Sequence, residues 1–319
     1  MSTKFAVKNL FQLLFIAFLL PVAVFSLQSV LAQPNDGYTS EQQVLIEEHA
    51  YGGLPSEKTV LVRQAYLVRY YEGNRVPEWV AYHIKLDYLK TPCRDKQYKK
   101  FHSDPGVTNP VKDSDYNGVG YDRGHLVPFK VSGGDRDGDG KYAMKDLNGD
   151  DKFKKDDKDP NGDYLIDDPD DFETVKQVNY MSNIAPQHKN FNRNGGLWWK
   201  LEGWIREQIK RDDIDELWVY AGCIWGQGKI EKIGPDKDII VPAVFYKIVI
   251  QKPTVESDPP KVLAFLFPHQ REKRGDLDDF LVSIDTIEAL SGLDFFSTMD
   301  ESQQNKLEST GTWKFWSDF

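Results

Sequence analysis

Cysteine is almost absent from this chain, whose 319 residues include only Cys93 and Cys223. So few cysteines exclude a small disulfide-bonded scaffold, and the core has to come from the apolar residues, which make up 40% of the chain. The two cysteines could form one disulfide in an oxidising compartment or remain separate buried thiols, because sequence does not measure the distance between their Cα atoms. The length suits one large domain or two small ones.

A second long apolar run is also absent, so no later segment is predicted to span a bilayer. The run that exists, LFQLLFIAFLLPVAVF, follows a short basic start and precedes Ala32, whose small side chain suits signal peptidase. Residues 1–32 are predicted to be a signal peptide rather than a membrane anchor, because Pro21 interrupts the run. The mature protein would be secreted or periplasmic and free of the membrane, with residues 33–54 leading into the fold.

The chain also lacks an excess of basic residues. Its formal net charge is −10, which is unexpected for a protein that binds a polyanion. The charge is uneven: residues 131–173 hold 15 acidic and 7 basic residues, and the remainder is close to neutral. Asp, Asn and Gly crowd that segment, as turns and oxygen ligands both prefer, and it lacks helical or strand periodicity. It is predicted to be an Asp-rich insertion in a domain that spans residues 55–315.

Within the insertion, DRDGDGKYAMKD fits a twelve-residue calcium loop, with Gly140 at the sharp turn. The predicted ligands are Asp135, Asp137, Asp139, Lys141 and Asp146. The alternative is a solvated acidic loop, because Asp replaces the usual final Glu and no flanking helices are evident. Two echoes of the pattern supply weaker calcium candidates, which are Asn148, Asp150, Asp157, Asp159, Asn161 and Asp163. Calcium would order a segment whose carboxylates otherwise repel one another and are not expected to pack.

Outside the insertion, the chain predicts an α+β fold with a mostly antiparallel central sheet and flanking helices. Strand candidates, rich in β-branched and aromatic residues, cover 59–71, 78–86, 217–225, 243–251 and 261–268. The segment 196–211 has apolar residues at three- and four-residue spacing, which predicts a helix with Trp198 in the core. A later helix is predicted from Ser283 to Leu290, closed by Gly292.

The stretch YDRGHLVPF places Asp122, Arg123 and His125 close together in an apolar segment. A histidine here can act as a base, an aspartate can orient it or accept a hydrogen bond, and an arginine binds phosphate through its planar fork. Taken alone, such a cluster more often consists of solvated or paired surface groups.

A second stretch, MSNIAPQHKNFNRNGGLWWKLE, changes that balance. Together with DRGH it resembles the motif pair of the DNA/RNA non-specific endonucleases, the ββα-metal nucleases. WVAYHIK, VPAVFYKIVI, LAFLFP and SIDTIEALSGLDFF extend the similarity over roughly residues 55–310, apart from the insertion. The resemblance implies the ββα-metal nuclease fold and the hydrolysis of phosphodiester bonds in DNA and RNA without sugar specificity.

The resemblance also implies residue roles. His125 matches the general base, and Glu202 matches the acid that binds water on the metal; the alternative for Glu202 is pairing with Lys200 or Arg206 on a solvated face. The implied cofactor is one divalent ion, magnesium with manganese as an alternative, held by an amide oxygen and waters.

Arg94 stands 28 residues before the Asp of DRGH, in the place of the family's transition-state arginine. The alternative is an ordinary surface arginine, and Arg75 is a weaker candidate for the same role. His188 and His269 are lone histidines in polar stretches without a partner at metal-ligand spacing, so surface or loop roles are predicted for them.

The amide ligand is ambiguous because two family spacings disagree in this chain. Counting nine residues forward from Asn183 reaches Asn192, whereas counting eight back from Glu202 reaches Asn194. Two extra residues near Gly195 account for the difference. We favour Asn192, because N-R-N is itself a family variant at the ligand; the alternative role for either asparagine is a helix N-cap.

Three functions compete. The first is an exported endonuclease with little sequence preference, since the near-neutral body has no base-reading module. The second is a calcium-dependent binding or adhesion protein on an inactivated nuclease fold, and the third is a phosphodiesterase of narrower substrate range. The intact His125 and Glu202 argue against the second. No protein partner is evident from the sequence.

Overall fold

The computed structural model describes residues 37–226, 229–253, 258–269 and 275–309, so the predicted signal peptide lies outside the described residues. In chain order the strands are β1 Leu61–Arg63, β2 Tyr66–Tyr71, β3 Val76–Lys85, β4 Asp122–His125, β5 Ile184–Gln187, β6 Glu216–Ile224, β7 Lys232–Ile233, β8 Ile239–Ile240, β9 Val244–Gln251, β10 Lys261–Pro268 and β11 Leu281–Val282. The α-helices are α1 Ser40–His49, α2 Pro169–Val178, α3 Lys189–Asn192, α4 Leu197–Gln208, α5 Ile284–Ser291 and α6 Glu301–Glu308.

An antiparallel sheet with the strand order β1-β2-β3-β6-β9-β10-β11 forms the centre of the fold. Two separate ladders, β4 with β5 and β7 with β8, lie outside it. The predicted α+β class with a mostly antiparallel sheet is confirmed. Five predicted strand segments correspond to strands of the sheet, and the first of them divides into β1 and β2 at the turn Gln64-Ala65.

Most positions of the inner strands β3, β6 and β9 are buried, which explains why these strands are mainly apolar on both faces. On β6, Leu217 and Val219 belong to the same core cluster as the α4 residue Trp198. The alternate residues face the other side, where Trp218 packs on Tyr51 with ring centroids 5.1 Å apart. Trp198 is fully buried, so its predicted place in the core is confirmed.

Helix ends follow local capping rules. α5 starts at the N-cap Ser283 and ends at Gly292, which adopts the left-handed conformation, as predicted. α1 was not predicted, although Thr39 and Gln42 form a reciprocal capping box at its start. This capping box is visible in the sequence, but the apolar residues of the segment have too weak a helical periodicity to predict a helix.

The Asp-rich segment 131–173 shares a small apolar core with neighbouring parts of the chain. Its members are Tyr98, Phe129, Ala143, Met144, Phe153, Tyr164 and Val175. Apolar side chains interspersed among its carboxylates contribute to this core, and the dependence of the packing on counter-ions stays a prediction. The expected lack of a helix was wrong, since α2 begins at Pro169 behind the N-cap Asp168, two helix-start signals.

Cys93 and Cys223 are both free thiols, so no disulfide joins them. Cys223 is buried in the core on β6, and Cys93 is half-buried. Among the residues that the structure describes, no helix is long and apolar enough to cross a membrane.

Candidate active site

The two sequence motifs meet in one antiparallel ladder, in which His125 on β4 lies opposite Ile184 on β5. At its other end Asp122 lies opposite Gln187. Glycine is required at position 124, next to His125 on β4, because a Cβ there would lie 2.2 Å from the Gln187 side chain. DRGH and SNIAPQ therefore form a single local structure.

His125 is held in one orientation by residues from other elements. Its Nε2 lies 3.1 Å from Asn179 Oδ1, and the amide nitrogen of Asn179 donates to the Tyr98 carbonyl, so Nε2 carries the proton and Nδ1 is the basic nitrogen. Trp198 Nε1 donates to the His125 carbonyl at 3.1 Å. Burial and the charge of Arg94 lower the pKa of His125 to about 3, although the hydrogen bond to Asn179 opposes the shift. The ring is therefore neutral at neutral pH.

The sequence predicted that Asp122 could orient His125, but in the structure it does not. The two residues lie three apart on β4, so their side chains face opposite sides of the strand. Asp122 instead accepts two hydrogen bonds from Arg193, one of them from Nε at 2.6 Å. This fork ties the segment after Asn192 to the DRGH strand.

The two candidate amide ligands differ in their surroundings. Asn192 ends α3 and is half-buried, and its side chain makes no hydrogen bond with another described residue. Asn194 is exposed in the turn before α4. Gly195 turns the chain with a φ of +81°, and Gly196 is the N-cap of α4, so the alternative role of either asparagine as a helix cap is wrong.

Glu202 on α4 turns toward the sheet and not toward a solvated face. It pairs with Lys247 of β9 at 3.9 Å, whereas Lys200 reaches Asp276. Lys247 is fully buried with its Nζ 4.0 Å from the centre of the Trp198 ring, and the Nζ has no hydrogen-bond partner among the described residues. Burial lowers the pKa of Lys247 to about 8 and raises that of Glu202, and each charge opposes the shift of the other.

Arg94 is placed in the cleft beside His125. Its guanidinium lies 5.4 Å from the Phe101 ring centre and 5.6 Å from that of Phe129. Arg75 donates a hydrogen bond of 2.6 Å to Asp238 and is not among the residues that line this cleft. The arrangement favours Arg94 over Arg75.

The cleft itself has a volume of about 1310 Å³. The predicted residues Arg94, Asp122, Arg123, His125, Asn192, Asn194 and Glu202 all line it. Its charged lining comprises six basic and two acidic residues, which are Arg94, Arg123, Lys130, Lys189, Arg193, Arg206, Asp122 and Glu202. Arg123 is braced by Asp113 and by Asn117 at 3.2 Å. The cleft is thus locally positive in a chain of net charge −10.

His188 and His269 support α3 from the edge of the site. Their ring centroids are 4.4 Å apart, and Tyr121 lies 4.7 Å from His188. The His188 backbone N–H donates to His269 Nε2, while His269 Nδ1 donates to the Pro242 carbonyl at 2.8 Å. Both ring nitrogens of His269 are occupied, which fits a structural role in a loop.

The acidic insertion forms successive turns. The carboxylates of Asp135, Asp137 and Asp139 lie within 4.8 Å of one another, and the ammonium of Lys141 contacts Asp139. Asp146 stands apart from that group and accepts backbone N–H bonds from later residues. The weaker candidates Asn148, Asp150, Asp157, Asp159, Asn161 and Asp163 also lie outside it.

Asn179, Arg193 and Lys247 are site residues that sequence reasoning missed. Lys247 had a signal, because it is the only charged residue in the buried strand VFYKIVIQ. Asn179 directly precedes the YMSN segment, and Arg193 stands between the two candidate asparagines. Nothing local in the sequence pairs Asn179 with His125 or Arg193 with Asp122.

Known proteins resemble this chain over most of its length. The model of the DNA/RNA non-specific endonuclease family matches residues 47–144 and 160–302, which leaves residues 145–159 of the predicted insertion unmatched. The chain is 28% identical to the mitochondrial nuclease EXOG of Mus musculus over 85% of this chain and 64% of that protein. It therefore spans about 64% of the length of this relative.

Two further comparisons cover more of the matched protein. A nuclease of Serratia marcescens is 26% identical over 80% of this chain and 81% of its own length. In the crystal structure of an EndoG/EndoGI complex, one chain has the same fold, with a TM-score of 0.61 and 22% identity over 83% of this chain and 95% of that one.

Proposed function

Because this chain belongs to the DNA/RNA non-specific endonuclease family, we propose that it is a metal-dependent endonuclease that hydrolyses phosphodiester bonds in DNA and RNA. The observation that carries the proposal is a neutral histidine, with Nδ1 as its basic nitrogen, in a cleft whose charged side chains are mainly basic. Positive charge attracts the phosphate backbone of any sequence, so little sequence preference is expected.

In the proposed reaction, His125 Nδ1 takes a proton from the attacking water, because Nε2 is already bonded to Asn179. Arg94 supplies positive charge to the phosphate oxygens as the phosphorus centre becomes more crowded. The fork between Asp122 and Arg193 keeps the segment of Asn192 next to the strand of His125. These residues position the base, the charge and the metal site in one cleft.

The donor set suits magnesium, with manganese as the alternative. Asn192 offers an amide oxygen without a hydrogen bond to other described residues, and Glu202 offers a carboxylate that is 16% exposed. Hard oxygen donors with room for retained waters are what magnesium prefers. When bound, the ion neutralises charge on the phosphate as the leaving oxygen departs. Lys247 beneath Glu202 compensates the negative charge of its carboxylate and holds that carboxylate on the inner side of the cleft.

We also propose that the protein is exported, on the strength of the predicted signal peptide at residues 1–32. An inactive calcium-dependent binding protein has less support than a nuclease, because His125, Arg94, Asn192 and Glu202 line one cleft. A protein that only binds calcium would not need these four residues in the same cleft.

Incubation of the chain from Gln33 onward with plasmid, single-stranded DNA and RNA tests the proposed activity. Magnesium is expected to support cleavage of all three substrates, and EDTA is expected to stop it, since removing the ion removes its stabilisation of the charge on the leaving oxygen. Gel electrophoresis reads the outcome. Cleavage of a single substrate would favour the narrower phosphodiesterase, and intact substrates under every divalent ion would contradict a nuclease.

The pH profile of kcat/KM should lack the fall near pH 6.5 that an ordinary histidine base produces. Because burial and Arg94 lower the pKa of His125 to about 3, the neutral base persists in acid, and the acid limb should lie below about pH 5. Arg94→Gln removes a positive charge, which raises the pKa of His125 and moves the limb upward. Arg211→Gln, an arginine outside the cleft lining, should leave the limb in place. A wild-type limb near pH 6.5 would contradict the shifted base.

A further inference from the structure

The cleft contains one exposed tryptophan among aromatic side chains that are otherwise covered. Six aromatic residues line it, of which four are buried, Phe101 is half-buried and Trp199 is 44% exposed. The four buried residues are Tyr116, Tyr121, Phe129 and Phe153. Of the described residues that line the cleft, Trp199 alone therefore presents an exposed aromatic ring to a substrate.

The half-buried Phe101 ring already has charged and aromatic neighbours. The guanidinium of Arg94 lies 5.4 Å from its centre, and that of Arg123 lies 5.7 Å from it. The centre of the His125 ring is 5.3 Å away. Trp199, in contrast, makes no hydrogen bond and no ring contact with another described residue. Its indole is therefore available to a planar ligand.

Helical geometry turns the two neighbouring tryptophans of α4 in different directions. Trp198 is buried, and its Nε1 donates to the His125 carbonyl. Successive residues of an α-helix are rotated by about 100°, so Trp199 projects away from the core contact that Trp198 makes. A single exposed apolar residue is common on protein surfaces, and the case for a function depends on what surrounds Trp199.

Trp199 shares one side of α4 with two charged residues of the site. Glu202 follows three residues later and Arg206 seven residues later, and both also line the cleft. Residues three or four apart on a helix have Cβ atoms about 5–6 Å apart, so each member of this row is one turn from the next. The indole therefore lies beside the carboxylate proposed to act at the metal, in a cleft whose positive charge attracts phosphate. Aromatic rings beside phosphate-binding charge are how proteins hold single-stranded nucleic acid.

We propose that Trp199 stacks on an unpaired base next to the phosphate that is cut, so that the cleft favours single-stranded DNA and RNA over duplex. Bases in a duplex are stacked on one another, whereas an unpaired base can lay its flat face on the indole. Every base has such a face, so the preference concerns strandedness and not sequence. The position beside the cut phosphate rests on the proposed nuclease function, whereas the contact with a base does not.

Fluorescence anisotropy of labelled oligonucleotides in EDTA, where no cleavage is expected, tests the contact. Trp199→Ala is expected to weaken binding of single-stranded DNA by about tenfold, the effect of losing one stacked base. Trp199→Phe keeps a flat ring and should retain most of the affinity. A blunt duplex of the same sequence should bind both variants within about twofold of the wild type. Tyr71→Ala is the matched control, because Tyr71 is an exposed aromatic residue outside the cleft lining.

An oligonucleotide without bases separates stacking from a change in the shape of the cleft. Abasic DNA keeps the phosphates and sugars, so Trp199→Ala should bind it as tightly as the wild type does. With magnesium, the substitution should raise KM for single-stranded substrates about tenfold more than KM for plasmid. Equal losses on normal and abasic strands, or unchanged affinity for normal single strands, would overturn the stacking role. A wild type with base-dependent affinity that cuts no nucleic acid would contradict the proposed function and leave the stacking contact standing.

Discussion

Replacing His125 by alanine is expected to lower kcat for phosphodiester cleavage by about a thousandfold, since a positioned general base contributes roughly 10²–10⁴ in rate. Asn179 binds the protonated Nε2 of His125, which leaves Nδ1 as the nitrogen that accepts the proton of water. KM should change little, because the arginines and lysines of the cleft remain. Steady-state cleavage of plasmid at saturating magnesium measures the effect.

His102→Ala is the matched control for this substitution. His102 is a half-buried histidine outside the cleft lining, and its hydrogen bonds to Asn179 and Met181 are made by the backbone, which alanine retains. Its activity should stay close to that of the wild type. Circular dichroism should show native folds for both variants. A His125→Ala protein that turns over at the wild-type rate would remove this residue from the mechanism.

Asn192→Ala is expected to abolish magnesium-dependent cleavage, with a loss of about a hundredfold or more, because the variant lacks the amide oxygen proposed to hold the ion. Asn192 ends α3 beside the Asp122–Arg193 fork, and its amide is free of hydrogen bonds to other described residues. The turn at Gly195 and Gly196 lies after Asn192, which supports placing the two extra residues of this chain there. Titration of manganese by electron paramagnetic resonance measures ion binding apart from cleavage.

Asn194→Ala provides the comparison within the same turn. Asn194 is exposed and does not cap α4, so its removal should change stability by no more than about 0.5 kcal/mol and leave ion binding intact. The two variants are expected to differ sharply in manganese affinity. If Asn194→Ala is the variant that loses the ion, the spacing counted back from Glu202 is the correct one and Asn192 is not the ligand.

Local pattern was sufficient to predict much of the fold. The five strand segments are rich in β-branched and aromatic residues, and α4 has apolar residues on one face, so each element follows from neighbours along the chain. The DRGH motif and the helix of Glu202 could be identified for the same reason, because motif spacing is a property of the sequence alone. The residues that this spacing selected, His125, Asn192 and Glu202, line one cleft.

The sequence was misleading where charge density was read without regard to the apolar residues among the charges. The segment 131–173 was expected to lack a helix and to pack only with counter-ions. Its apolar residues Ala143 and Met144 belong to a small core, and its last residues begin α2. The segment looked like a separate insertion because its content of Asp, Asn and Gly differs sharply from that of its neighbours. Composition does not show that α2 continues past the acidic residues to Asn179.

The sequence by itself determined the strands, the amphipathic helix and the chemistry-bearing residues, since each depends on short-range periodicity or on motif spacing. Only the tertiary structure decided how those residues are held: Asn179 on His125, Arg193 on Asp122 and Lys247 under Glu202. The physical reason is that a buried polar group needs a partner of matching geometry, and many residues of the right type compete for it along the chain. The packing of other elements against β4 and α4 selects which of them comes within hydrogen-bonding or ion-pair distance.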